Sequence, residues 1–323
     1  MRALTILVAV LAALWSGWWL VGRAGVQAAL DRAPAAAATQ GWEVSWTDAS
    51  TGGFPNRFDT RLEAPRAVDP TGEVEWTAPF LDILMLSYRP NHAIVAFPPE
   101  QTVTVMGLPV VVRSGRMRAS VVAGPALPPV LDRATLEGEA LAVETLGAVS
   151  TVAAARAATR WAEDGSGYDV ALALSDVTIP DPAAGMLAEG GMPAAIGIVR
   201  LDATARMAAP VALGPGAPPQ VAGLDLRDVA VVWGEVRLSG EGTLDVDRAG
   251  RAQGLVTVRA EGWERLLDLA ESQNMLPRSR RALVEAALRG VAGDDGVVEV
   301  PLAVRDGVVR FGPFELGRLP VLL

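Results

Sequence analysis

VRLSGEGTLDV, residues 236–246, alternates without a break. Val236, Leu238, Gly240, Gly242, Leu244 and Val246 share one parity, and Arg237, Ser239, Glu241, Thr243 and Asp245 take the other. A period of two is the pleat of a β-strand with one face turned to a core. Asp247-Arg248-Ala249-Gly250 then turns the chain, and Val256, Val258 and Ala260 return opposite Thr257, Arg259 and Glu261. Further on, Val298, Val300, Leu302 and Val304 alternate with Glu299, Ala303 and Arg305. Asp306-Gly307 is a preferred two-residue hairpin turn, after which Val309 and Phe311 come back. These strands define a candidate apolar face: Val236, Leu238, Leu244, Val246, Val256, Val258, Val298, Val300, Leu302 and Val304.

Working outward, the same unit recurs. Phe58, Thr60, Leu62 and Ala64 alternate with Arg57, Asp59, Arg61 and Glu63, after the turn Thr51-Gly52-Gly53-Phe54-Pro55-Asn56. Short strand-like runs follow up to Ala123, punctuated by Pro65, Pro98-Pro99, Gly107 and Ser114-Gly115. Arg133–Glu144 and Tyr168–Leu174 are again strand-like. Val149–Trp161 has the Ala and Arg content of a helix, but the shared parity of Val149, Thr151, Thr159 and Trp161 favours a strand. Three helices interrupt the pattern. A short one follows Asp181-Pro182, and two amphipathic ones cover Trp263–Gln273 and Pro277–Gly290. Pro210–Pro219 reads as a loop. The expected fold is therefore mainly β, a β-rich α+β class. It is a long curved antiparallel meander of hairpins with a few short amphipathic helices.

The N-terminus is different. Ala3–Gly22 runs twenty residues without a charge, and about 20 apolar residues at 1.5 Å each cross a ~30 Å hydrocarbon core. Trp15, Trp18 and Trp19 crowd its far end, where indoles favour the interface. Arg2 and the free amine favour a cytoplasmic N-terminus, a bias that Arg23 weakens. A cleaved signal peptide is the alternative, but Gly22-Arg23-Ala24 is a poor small-x-small site and Ala35-Ala36-Ala37 lies far downstream. The division expected is a membrane anchor over 1–24, a helical extension ending near Pro34 with a linker over 25–40, and a β-rich body over 41–323.

Composition narrows the chemistry. Half of the 323 residues are apolar, enough for a substantial core, and a net charge of −9 argues against nucleic acid as partner. There is no Cys and one His, so neither a thiolate site nor a multi-His metal site can form. His92 at the start of a strand reads as a turn-exposed or a hydrogen-bonded residue, and Asp294-Asp295 as a solvated turn. Asp245 and Asp247 flank a turn beside Arg248 and Arg251. Arg57, after a rigid Pro turn, has the best claim to be a functional charge, against the plainer reading of a strand ion pair. No catalytic residue, metal ligand or cofactor is expected.

Several motifs in order carry a resemblance. They are Trp233–Asp245 followed by Gly250-Arg251 and Gly254, the closing Val300-Pro301-Leu302 with Asp306-Gly307-Val308-Val309 and Phe311-Gly312-Pro313-Phe314, and the early Gly53-Phe54-Pro55-Asn56-Arg57-Phe58. Together they resemble the uncharacterised alphaproteobacterial family called domain of unknown function 2125, over most of 41–323. The resemblance implies a signal anchor and an exported body, hence a single-pass inner-membrane protein with its body in the periplasm. The final hairpin is also similar, at the level of fold, to AsmA-like envelope proteins, which are associated with lipid movement and outer-membrane assembly. The functional expectation is an anchored β-sheet protein whose apolar face handles lipid or serves envelope assembly. Its partners would be the membrane and lipid or envelope proteins. The alternatives are a structural or protein-binding component whose apolar face is filled by its own side chains, and an exported hydrolase using carboxylates.

Overall fold

A computed structural model describes residues 1–213, 220–312 and 314–322. Most of the loop expected over Pro210–Pro219, and Pro313 in the closing motif, lie outside the described residues. The chain forms two compact units, Met1–Leu136 with Ala212–Ala217, and Glu137–Val211 with Pro218–Leu323.

The first unit opens with helix α1, Arg2–Ala38. It does not stop at Pro34, which lies inside it. A proline removes one backbone donor, and here Ala-rich sequence on either side carries the helix past that gap to Ala38. Strands β1 (Glu43–Ser45), β2 (Asp48–Gly52), β3 (Arg57–Glu63), β4 (Arg66–Val68), β5 (Val74–Thr77), β6 (Phe80–Leu86), β7 (Arg89–Ala96), β8 (Glu100–Val105), β9 (Leu108–Arg113) and β10 (Arg116–Ala123) follow. One ribbon pairs β2–β3–β6–β7–β10 and a second pairs β1–β4–β5–β8–β9, all antiparallel.

The two ribbons are the halves of five long strands, each broken at a corner. Backbone pairing continues through the corners: Ala64 N–H donates to Pro79 O at 2.9 Å, Ala78 N–H to Pro65 O at 3.2 Å and Ser114 N–H to Pro99 O at 2.8 Å. The prolines that end a run of alternation therefore mark bends within strands as well as the turns between them. Phe58, Leu62 and Val68 are buried on one parity, and the hydroxyls of the buried pair Thr51 and Thr60 lie 3.0 Å apart.

The chain passes to the second unit within β11 (Leu131–Thr145). The second unit holds β12 (Ala148–Trp161), β13 (Gly167–Thr178), α2 (Ala183–Glu189), β14 (Ala195–Met207), β15 (Val221–Trp233), β16 (Val236–Val246), β17 (Ala252–Glu261), α3 (Trp263–Ser272), α4 (Arg278–Val291), β18 (Val298–Arg305), β19 (Val308–Phe311) and β20 (Phe314–Arg318). From β12 to β20 every strand pairs antiparallel with the next one in sequence, a pure meander. Val149–Trp161 is thus strand, and the hairpin at Asp306-Gly307 joins β18 to β19 with Arg305 opposite Val308. Helices α3 and α4 are held together by Arg281, whose guanidinium meets Asp268 at 2.6 Å and Glu271 at 2.9 Å.

Candidate functional site: an apolar strip across seven strands

The strand registers of the second unit place one apolar face on a continuous grid. One row runs Trp161, Tyr168, Ala205, Leu224, Leu244, Gly254, Val304 from β12 to β18. The next runs Thr159, Val170, Ala203, Leu226, Gly242, Val256, Leu302. A third runs Ala157, Leu172, Leu201, Val229, Gly240, Val258, Val300, and a fourth runs Ala155, Leu174, Val199, Val231, Leu238, Ala260, Val298. Seven strands about 4.8 Å apart make the strip roughly 29 Å long.

The chain's own side chains fill two regions of this grid at its β16–β18 end. Under α3 and α4, Ala260 and Val298 pack with Trp263 and Leu267, and Leu238, Val284, Leu288 and Val300 close around them. Near the C-terminus, Leu244, Ala252 and Val304 form a second cluster with Leu224, Leu226, Val256, Leu319 and Leu322. Between and beyond these clusters the middle rows are half-buried, apart from the buried Ala203. Val170, Leu172, Leu201, Val229, Val258 and Leu302 belong to neither cluster. Gly240 and Gly242 sit in the same rows and carry no side chain. At Gly242 even a Cβ would overlap the carbonyl oxygen of Leu255.

The residues picked out from the sequence therefore divide. Val236 is buried beside Trp233, and Val246 pairs with the buried Ala252. Leu238, Val298 and Val300 lie in the helix-covered cluster, and Leu244, Val256 and Val304 in the C-terminal one. Val258 and Leu302 line the half-buried rows. The part of the strip on β13–β15 was not singled out from the sequence. Period-two signals exist in Val170-Leu172-Leu174 and Val199-Leu201-Ala203. On β15 the parity breaks, because the register shifts between Leu226 and Val229. An extra residue of this kind leaves both flanking apolar side chains on one face while spoiling the alternation.

The opposite face is a lattice of charges. Arg227, in the β15 irregularity, reaches Asp202, Asp169 and Thr204 together. Asp169 also accepts from Thr204 Oγ1 at 3.0 Å and pairs with Arg160 at 3.2 Å. Burial alone would raise its pKa, but the bonds from Arg227, Thr204 and Arg160 outweigh that and hold it below the ordinary carboxylate value. Arg206 pairs with Asp245 at 2.7 Å. The other singled-out polar residues are engaged locally. Arg57 pairs with Asp59 at 2.9 Å, and His92 Nε2 meets Ser120 Oγ at 2.8 Å. Asp247 caps its own turn by accepting from Ala249 and Arg251 N–H, and Asp295 accepts from Val297 N–H. Among the described residues no group of three His, Cys, Asp or Glu converges as a metal site.

The geometry defines a class: an antiparallel β-meander protein with one N-terminal helix long and apolar enough to cross a membrane. The chain belongs to the family described as "Uncharacterized protein conserved in bacteria (DUF2125)", whose model matches residues 19–320. No curated protein and no solved structure matches it.

Proposed function

We propose that this protein is a membrane-anchored, non-catalytic component of the bacterial cell envelope that holds acyl chains along the half-buried strip of its second unit. In this reading α1 is a single-pass inner-membrane anchor and the β-rich units stand in the periplasm. The observation that carries the proposal is the run of half-buried Val and Leu in the two middle rows. The third row lies outside both filled clusters from Ala157 on β12 to Val258 on β17, about 24 Å at 4.8 Å per strand, which exceeds the ~15 Å of one leaflet's hydrocarbon, so an acyl chain fits along it. Contiguous apolar surface of this extent on a water-facing domain is a mark of a binding surface.

The test is photo-crosslinking of the full-length protein with a diazirine fatty acid, with adducts mapped by mass spectrometry. Adducts are expected on β13–β15 and β17. Leu201→Glu and Val229→Glu should abolish them, with melting temperature measured in parallel to confirm folding. Leu238 and Val256 are poorer choices for this purpose, because each packs against a filled cluster. Those clusters favour a second reading, a structural or protein-binding sheet closed by its own side chains. An absence of strip adducts in folded protein would support that reading over the first.

A further inference from the structure

Midway along α1, at the end of its uncharged run, three indoles fasten the helix to the strand hairpins of the first unit. Trp15 Nε1 donates to Pro55 O at 2.9 Å, Trp18 Nε1 to Ser87 O at 3.2 Å and Trp19 Nε1 to Arg57 O at 2.8 Å. Pro55 and Ser87 lie in the β2–β3 and β6–β7 hairpin turns, which sit at the same end of the meander. Trp19 is buried, 5.4 Å edge-on from Phe54 and 6.1 Å from Phe58. A Cβ on Gly22 would overlap the Phe58 ring, so the helix backbone lies directly on that side chain. At the same two tips, Phe54 and Tyr88 are each 57% exposed.

The level of these tips along the helix follows from its rise. Trp15 lies eight residues before Arg23, about 12 Å along the axis. The polar headgroup layer on each side of a bilayer is roughly 5–8 Å thick. With Arg23 at the water side, the tip fastened to Trp18, about 7.5 Å along the axis, reaches the boundary between headgroups and hydrocarbon, and the tip fastened to Trp15 lies a few ångströms further in. Aromatic rings favour that layer, apolar body inward and polar edge outward.

We propose that the hairpin tips at Phe54–Pro55 and Ser87–Tyr88 rest in the interfacial layer of the same bilayer that α1 crosses, with Phe54 and Tyr88 as lipid contacts. The first unit then stands on the membrane at several points and cannot swing freely from the helix. The inference rests on α1 being a membrane anchor, and its occupant is the lipid surface rather than a protein partner.

The chain has no cysteine, so a single introduced thiol is a unique label site. Full-length Phe54→Cys, Tyr88→Cys and Met106→Cys proteins would carry an environment-sensitive fluorophore and be reconstituted in phosphatidylethanolamine–phosphatidylglycerol vesicles. Met106, 73% exposed, marks the opposite end of the β7–β8 strand. Brominated acyl chains should quench the labels at 54 and 88 and leave the label at 106 bright. Trp15→Phe, which keeps an apolar ring and removes the N–H, should reduce the quenching at 54 while the protein still floats with the vesicles. Flotation with all three labels unquenched would overturn the tip contact and leave the anchor standing. Failure to float after reconstitution would overturn the anchor itself.

Discussion

Asp306 and Gly307 both have positive φ, 50° and 75°, as a type I′ turn requires of its two central residues. Glycine takes that conformation freely and a β-branched residue does not. Gly307→Val is therefore expected to cost roughly 1–3 kcal/mol, read as a fall in melting temperature; an unchanged melt would remove the turn from the list of stabilising features. Asp169 gives a second test at this scale. Its folded pKa lies below the unfolded value of about 3.9. A depressed carboxylate contributes stability above the unfolded pKa and loses it as pH falls through the folded one. Between pH 6 and pH 3 the wild type should thus lose melting temperature more steeply than Asp169→Asn, and the loss should begin near pH 4. Parallel curves would show that the Arg227 lattice contributes little. The Asp-Gly turn was legible in the sequence because its chemistry is local. The indole contacts of Trp15, Trp18 and Trp19 were not, because each acceptor lies 38 to 69 residues away along the chain.

Helix α3 shows how an element's covering role depends on its first residue. Trp263 is 4% exposed, donates through Nε1 to Gly296 O at 3.2 Å, and anchors the cluster that shields Ala260 and Val298. Replacing a buried aromatic by alanine leaves a cavity, so Trp263→Ala should destabilise the protein by about 3–5 kcal/mol. It should also expose Leu238 and Val300, which an increase in binding of a hydrophobic dye would report. A drop in stability without that increase would place the indole's role in local packing alone. Both helices could be read from their apolar spacing, as could the strands on which strict alternation is unbroken. The corners at Pro65 and Pro98-Pro99 could not be distinguished from turns. Local sequence specifies only that extended backbone is interrupted there. Whether the chain reverses or bends and keeps pairing depends on which strand lies alongside. The bulge in β15 hid part of the strip for a related reason, since its irregularity is resolved only by the registers of β14 and β16.

At the scale of the molecule, a meander explains why so much was legible. Each strand from β12 to β20 pairs with its neighbour in sequence, so a run of hairpin signals is already the topology. What a run of hairpins leaves open is how the apolar face is covered. Here two helices and the C-terminal segment divide that face into filled and half-buried parts. The N-terminal helix bears on the same question from the other unit. Trp19 belongs to the buried interior of the first unit, so removing α1 would take away part of that interior along with the one helix long and apolar enough to cross a membrane. Experiments on a truncated body would therefore mix two effects, and topology is best tested on the intact chain. Arg2 at the start of the apolar run favours an N-terminus kept in the cytoplasm, and the paired Arg and carboxylate lattice of the second unit is suited to water. A reporter that is active only in the periplasm, fused after Leu323, is expected to be active, and one active only in the cytoplasm is expected to be silent. The reverse pattern would place both units on the cytoplasmic side and would remove the envelope role, whatever the strip binds.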